Sequence, residues 1–155
     1  MSLVAYGTAA STDAPELANN GFWPDLDPDD FREQHRLDTT VTQPRLVTAL
    51  SIAMASVNRQ LADFQTEQVA AQRGTADLIP IEPWQIPGHH ALLYVRAVFA
   101  EAHAQLLERY RDHSATDVGD ERGEAKVDAA EDYRRDARWA VAEIVGRNHT
   151  TVELI

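Results

Sequence analysis

The chain has no cysteine, and Lys126 is its only lysine. Without thiols there is no disulfide framework, no thiolate nucleophile and no thiolate metal site. The remaining bases are arginines, a bias that points to codon usage more than to chemistry. No apolar run approaches the ~20 residues that span a bilayer. The N-terminus lacks the basic and apolar regions of a secretory signal, so a soluble cytoplasmic protein is the expectation. No phosphate-cradling glycine loop and no Gly-x-Ser-x-Gly elbow is present. The six histidines form no His-x-x-x-His or Glu-x-x-His pair, and the side chains of adjacent His89 and His90 diverge. No metal, cofactor or catalytic constellation is therefore expected, and an enzyme is not.

What is present supports folding. At 155 residues and 44% hydrophobic, the chain is long enough for one core and too short for two domains. Its net charge is −11, unevenly spread. Residues 1–41 carry eight acids against two arginines, and residues 112–146 ten acids against five bases. Residues 42–111 balance at six against six. Such a surface repels phosphate and disfavours sequence-specific DNA binding. It serves solubility, or it lets the chain lie beside DNA without sticking.

Residues 1–21 are small and polar without periodicity, which reads as an extended arm. An aromatic turn follows, with Phe22, Trp23, Leu26 and Phe31 set among acids. Asp27-Pro28 is a helix start: Asp accepts from an orphan backbone N–H, and Pro fits the first helical position. A short helix over about Pro28–Arg36 is predicted. Thr42 and Pro44 open a long helix whose seam is Val47, Leu50, Met54, Val57, Leu61 and Phe64, expected to run to about Arg73 before Gly74. Residues 74–90 form a proline-rich loop made unusually apolar by Ile79, Ile81, Trp84 and Ile86; it packs on its own helices or on a neighbour. A second long helix is predicted over about Ala91–Arg111, with Leu92, Val95, Phe99, Ala102, Leu106 and Tyr110 inward. After a polar loop, a third helix runs from about Glu124 to Val145, facing inward with Val127, Ala130, Tyr133, Ala137, Ala140, Val141 and Ile144. Gly146 caps it. Among Arg134, Arg135 and Arg138, intrahelical pairs account for most, leaving one to clamp a neighbour. Trp139 is either core or a subunit contact. The β-branched, alternating end reads as a strand without a partner in this chain, or as a frayed end. The fold class is thus all-α: a bundle of two long helices and one medium helix plus a short N-terminal helix, spanning 22–146. The arm at 1–21 and a tail at 147–155 flank it.

Particular motifs carry a resemblance. They are the Trp23-Pro24-Asp25-Leu26-Asp27-Pro28 turn, Arg36-Leu37, Thr40-Val41, Pro44-Arg45-Leu46 and Leu107-Glu108-Arg109-Tyr110-Arg111. Arg135-Asp136 and Arg138-Trp139-Ala140-Val141-Ala142 follow, then Ile144, Gly146 and a tail ending in Ile155. In this order and spacing, residues 22–155 resemble the head completion (head stabilisation) proteins of temperate contractile-tailed phages, the GPL-type family. The resemblance implies a structural virion protein at the head-to-tail connector, assembled in the bacterial host cytoplasm. Such a protein binds the portal ring after DNA packaging, stabilises the filled capsid and forms part of the neck channel. It stands beside copies of itself in a ring, typically twelve-fold, and meets a downstream neck or tail-completion protein. DNA passes without specific binding, and no membrane is involved.

On that reading the portal-binding tail is Thr150, Thr151, Val152, Glu153, Leu154 and Ile155. The expected inter-subunit contacts are Phe22, Trp23, Trp84, Arg138 and Trp139. The alternative is an acidic DNA-mimic or regulatory binding protein of phage origin, monomeric or dimeric, with no need of the terminal strand.

Overall fold

A computed structural model describes residues 15–111 and 120–147, with side chains for 15–109 and 128–147. Helices supply its architecture. They are α1 (Pro28–Gln34), α2 (Gln43–Gln60), α3 (Ala62–Ala70), α4 (His89–Arg111) and α5 (Asp120–Ile144). No strand occurs among the described residues; Leu17 and Leu26 form an isolated antiparallel bridge.

The chain is built around α4. Leu93, Tyr94, Ala97, Val98, Phe99, Ala100, Ala102, Ala104 and Leu106 are all buried, too many for a single stripe. A helix buried most of the way round needs neighbours on more than one side. α5 lies antiparallel along it, as Arg96 to Asp136 and His89 to Glu143 show. α2 packs on another side, tied by Tyr94 to Asn58. Alanines make these approaches close: Ala49 and Ala53 on α2, Ala130, Ala137 and Ala140 on α5. The expected inward face of α5 holds at Ala130, Ala137, Ala140 and Ile144, with Tyr133 and Val141 partly buried. Val127 and Tyr110 lie outside the described side chains.

Helix ends follow local chemistry. Asp27 caps α1 by accepting from Asp29 N–H at 2.8 Å, with Pro28 in the first turn. Thr42 stands at the α2 cap position, but its hydroxyl makes no capping bond. Arg32 instead ties this corner, donating to the carbonyls of Asp38 and Val41 and to Gln43 Oε1. α1, α3 and α5 close in the same way. The amide after a left-handed residue bonds back five residues: Leu37 to Arg32, Arg73 to Gln68, Arg147 to Ala142. The left-handed residues are Arg36, Gln72 and Gly146, of which only the last is glycine.

Five sequence expectations change. The helix predicted from Thr42 to Arg73 bends at Leu61, where φ is −99° and ψ 6°. The hydrogen-bond ladder carries across, Leu61 N–H to Val57 and Gln65 N–H to Leu61, so the axis turns without stopping. The bend sits where burial ends: Leu61 is in the core, while α3 has no fully buried residue. That helix ends before Gly74, because Gln72 takes the left-handed position. Leu92, expected inward, is 56% exposed; burial on α4 passes to Leu93 and Tyr94. Gly123, expected in the loop, lies inside α5. Finally, packing begins before Gly21, the expected end of the arm. Leu17 pairs with Leu26, and Asn19 reaches α2 and α4, so residues 17–21 belong to the packed structure.

Candidate assembly surface

Residues 74–88 join α3 to α4 without regular helix. Pro80, Pro83 and Pro87 remove three backbone donors and block a continuous ladder. The segment is held at its start by a 3-10 turn at Ala76–Leu78, whose Ala76 N–H donates to Phe22 O at 2.9 Å. Ala76 and Ile79 plug into the core. A tight turn follows, with Gln85 N–H on Glu82 O and Glu82 N–H on Gln85 Oε1. It holds Trp84 outward, 68% exposed, with Ile81 and Ile86 exposed on either side. Gly88, at φ 75°, turns the chain into α4.

Trp84 meets the helix pair through His89, edge to face at 5.6 Å. His89 Nε2 lies 3.2 Å from Glu143 Oε1, a close polar contact without the alignment of a hydrogen bond. One helical repeat further along, Arg96 forks onto Asp136, with Nε to Oδ2 at 3.0 Å. Residues 89, 92 and 96 share a face of α4, and 136, 139 and 143 share a face of α5. Leu92 and Trp139 therefore lie at one level, between the two cross-helix contacts, and both are exposed. Arg135 sits over the Trp139 ring at 5.2 Å and pairs with Asp132 at 2.8 Å. Arg138 is exposed and has no ion-pair or hydrogen-bond partner among the described residues.

Of the large exposed apolar side chains, Leu92 and Trp139 lie at one end of the α4–α5 pair and Leu78, Ile81, Trp84 and Ile86 in the loop that leads into it, while Ile52 and Val69 are on α2 and α3. Single exposed apolar residues are ordinary; several beside one another mark a surface built for contact. Of the residues expected at subunit contacts, Trp84 and Trp139 stand on this surface, while Arg138 is exposed on another side of α5. The core alternative for Trp139 is replaced, since the ring is 42% exposed.

Phe22 and Trp23 do not join them. Trp23 is 2% exposed, stacked on Tyr94 at 4.7 Å and on Phe64 at 6.4 Å, with Phe22 edge-on at 4.9 Å. These rings anchor the N-terminal turn to its own helices and leave nothing to present to a neighbour. The tail residues Thr150, Thr151, Val152, Glu153, Leu154 and Ile155 lie outside the described residues.

Two half-buried polar knots had no legible sequence signal. Around Trp23, Tyr94 Oη donates to Asn58 Oδ1 at 2.7 Å and accepts from Asn19 Nδ2 at 2.9 Å. Asn58 Nδ2 donates back to Asn19 Oδ1, closing a ring of three side chains from distant segments. Burial raises the Tyr94 phenol to about 12, partly offset by Asn19. In the second knot, the His35 and His103 Nδ1 atoms meet at 2.7 Å, and Tyr133 stacks on His103 at 4.1 Å. Burial lowers His35 against the pull of Asp136; burial, and then His35, lower His103 to about 4.

No group of three His, Cys, Asp or Glu side chains among the described residues could hold a metal ion. No helix there is long and apolar enough to cross a membrane.

Comparison with known proteins follows the same line. The family model described as phage head completion protein (GPL) matches residues 17–155. The head completion/stabilization protein of Escherichia phage P2 is 37% identical over 145 residues, covering 92% of this chain and 85% of the relative. The probable head completion/stabilization protein of Haemophilus phage HP1 is 24% identical over 149 residues, covering 96% and 98%. No solved structure matches. An all-α chain that matches from the Leu17 bridge to the last residue, and that keeps an aromatic surface outward, belongs to the GPL family of phage head completion proteins.

Proposed function

We propose that the chain acts as an adaptor that seats on the portal ring after packaging and stabilises the filled head. Copies stand side by side in a ring of twelve and extend the channel toward a neck or tail-completion protein. The observation that carries this reading is the exposed surface of Trp84, Ile81, Ile86, Leu92 and Trp139 on a head completion protein. Such a surface costs solubility unless a neighbour covers it. Trp84 and Trp139 supply the aromatic anchors, and Arg138 the cation for an acid on the adjoining copy. Contacts of this head-to-tail kind close into a ring when the rotation between copies fits.

The tail Thr150–Ile155 grips the portal by adding a strand to an exposed sheet edge. DNA passes through unbound, because a chain of net charge −11 offers little attraction to phosphate. Assembly takes place in the host cytoplasm, and the product is part of the virion. The acidic-decoy alternative has less behind it: a DNA mimic needs carboxylates on its working face, whereas the conspicuous face here is aromatic and aliphatic.

Mixing the purified chain with isolated portal rings and imaging by cryo-electron microscopy tests the adaptor reading. A ring of helical subunits on the portal's exposed end is expected; bare portals beside folded protein overturn it. Removing Thr150–Ile155 tests the tail. Attachment should be lost with helix content intact, and normal attachment by the shortened chain refutes the tail's role.

A further inference from the structure

We propose that His35 and His103 form an acid-sensitive latch that fastens the C-terminal end of α1 to α4. His35 is the residue at which α1 ends, and His103 lies on α4. Their Nδ1 atoms are 2.7 Å apart, so one carries a proton and the other must be bare to accept it. Around the pair are rings: Phe31 at 5.0 Å and Phe99 at 5.9 Å from His35, and Tyr133 at 5.6 Å from His35 and 4.1 Å from His103. The carboxylate that acts on His35 is Asp136 of α5, already forked by Arg96 of α4. On α1 itself, the Arg32 guanidinium is tied to the following connector, to the carbonyls of Asp38 and Val41 and to Gln43.

The geometry sets how many protons the pair tolerates. A first proton goes to the Nε2 of the donating ring and leaves the Nδ1–H···Nδ1 bond intact. A second must take the bare Nδ1. That removes the acceptor and places two imidazolium ions in contact, half-buried among aromatic rings. Asp136 offsets only part of this, because Arg96 already holds its carboxylate. The open state, with both rings in water, accepts both protons freely. Folded-state histidines lowered from 6.5, His103 to about 4, give the sign. The latch is fully closed above pH 6.5 and weakens as pH falls toward 4, by about tenfold in opening constant per pH unit for each proton taken up.

Opening frees the end of α1 while Trp23 still holds the preceding turn on Tyr94. The device is therefore local, and independent of the adaptor reading.

Amide hydrogen exchange on the full chain, corrected for intrinsic rates, reads it. The His35 amide bonds Phe31 O and the Leu37 amide bonds Arg32 O, so both report α1. Their opening should rise about tenfold per pH unit between pH 6 and 4.5, with Val98 in α4 unchanged. His103→Gln keeps an uncharged acceptor for His35 and should flatten the rise, leaving only the part that the burial of His35 itself contributes. An equal rise in the variant, or a rise shared by Val98, overturns the latch. Imidazole titration by NMR on the unmodified chain gives a second reading that does not depend on the variant folding. Coupled curves with one midpoint far below 6.5 are expected, and two independent midpoints near 6.5 refute the proposal.

Discussion

Trp23 lies flat on Tyr94, their ring centroids 4.7 Å apart and their planes 6° from parallel. The stack joins a turn before α1 to the second turn of α4, so an N-terminal element depends on a helix about seventy residues away. Aromatic pairs of this geometry contribute ~0.5–1.5 kcal/mol beyond the area they bury. Trp23→Ala should therefore cost ~3–5 kcal/mol, within the range for buried aromatic truncation. Trp23→Phe should cost much less, because Trp23 Nε1 has no acceptor to lose among the described residues. Chemical denaturation of the two variants checks the order; equal losses would mean that the indole's volume is not what matters.

Tyr94→Phe keeps the stack and removes the hydroxyl shared by Asn19 and Asn58. The two amides lose one partner each in a half-buried setting, a loss of ~0.5–1.5 kcal/mol. The same hydroxyl makes stability sensitive to alkali. A phenol raised to about 12 binds its proton more tightly folded than unfolded. Its contribution is fully present below pH 10 and is lost as pH rises toward 12. Urea midpoints at pH 9 and pH 11 should fall in the natural chain and fall less in Tyr94→Phe.

Gln72 and Gly146 occupy equivalent left-handed positions at the ends of α3 and α5, at φ 65° and 69°. Side chains pay ~1–2 kcal/mol to sit there. Gln72→Gly should raise stability by about 1 kcal/mol or slightly less, after the entropy that glycine brings to the unfolded chain. Gly146→Ala should lower it by about 1 kcal/mol. Nothing lies within 4 Å of a Cβ built on Gly146, so the loss is conformational and not a clash. Thermal melts should move in opposite directions.

Trp84→Ser and Trp139→Ser separate surface from core. Both rings are exposed, so stability should change by no more than ~0.5 kcal/mol for Trp84. Trp139 also gives up its Arg135 contact, ~0.5–1 kcal/mol at an exposed site. Assembly on portal rings, counted by electron microscopy, should fail in the double variant while circular dichroism stays unchanged. Full occupancy by that variant would remove this surface from the proposed ring contact.

The chain's own order of residues determined a good deal. Asp27-Pro28 set the start of α1, because a capping carboxylate and a preset φ act over three residues and need no tertiary help. Gly146 closes α5 for the same kind of reason. Three prolines barred helix from residues 79–87, and the alanine-spaced face of α5 pointed inward as its period required. Family-bearing motifs were legible too, since they are strings of residues and not positions in space.

Tertiary structure alone decided the rest. Whether Trp23 faces a neighbour or its own core depends on Tyr94 and Phe64 arriving beneath it, which no local pattern encodes. Leu92 turned outward because α4 has neighbours on more than one side, so burial followed the small and aromatic residues between α2 and α5 and not a single stripe. The bend at Leu61 falls where the core ends, at a residue that carries no proline or glycine to announce it. The knots at Asn19–Tyr94–Asn58 and His35–His103 join side chains 36 to 75 residues apart. Polar groups scattered along a sequence look solvated one by one; only packing brings them within hydrogen-bond reach and takes the water away.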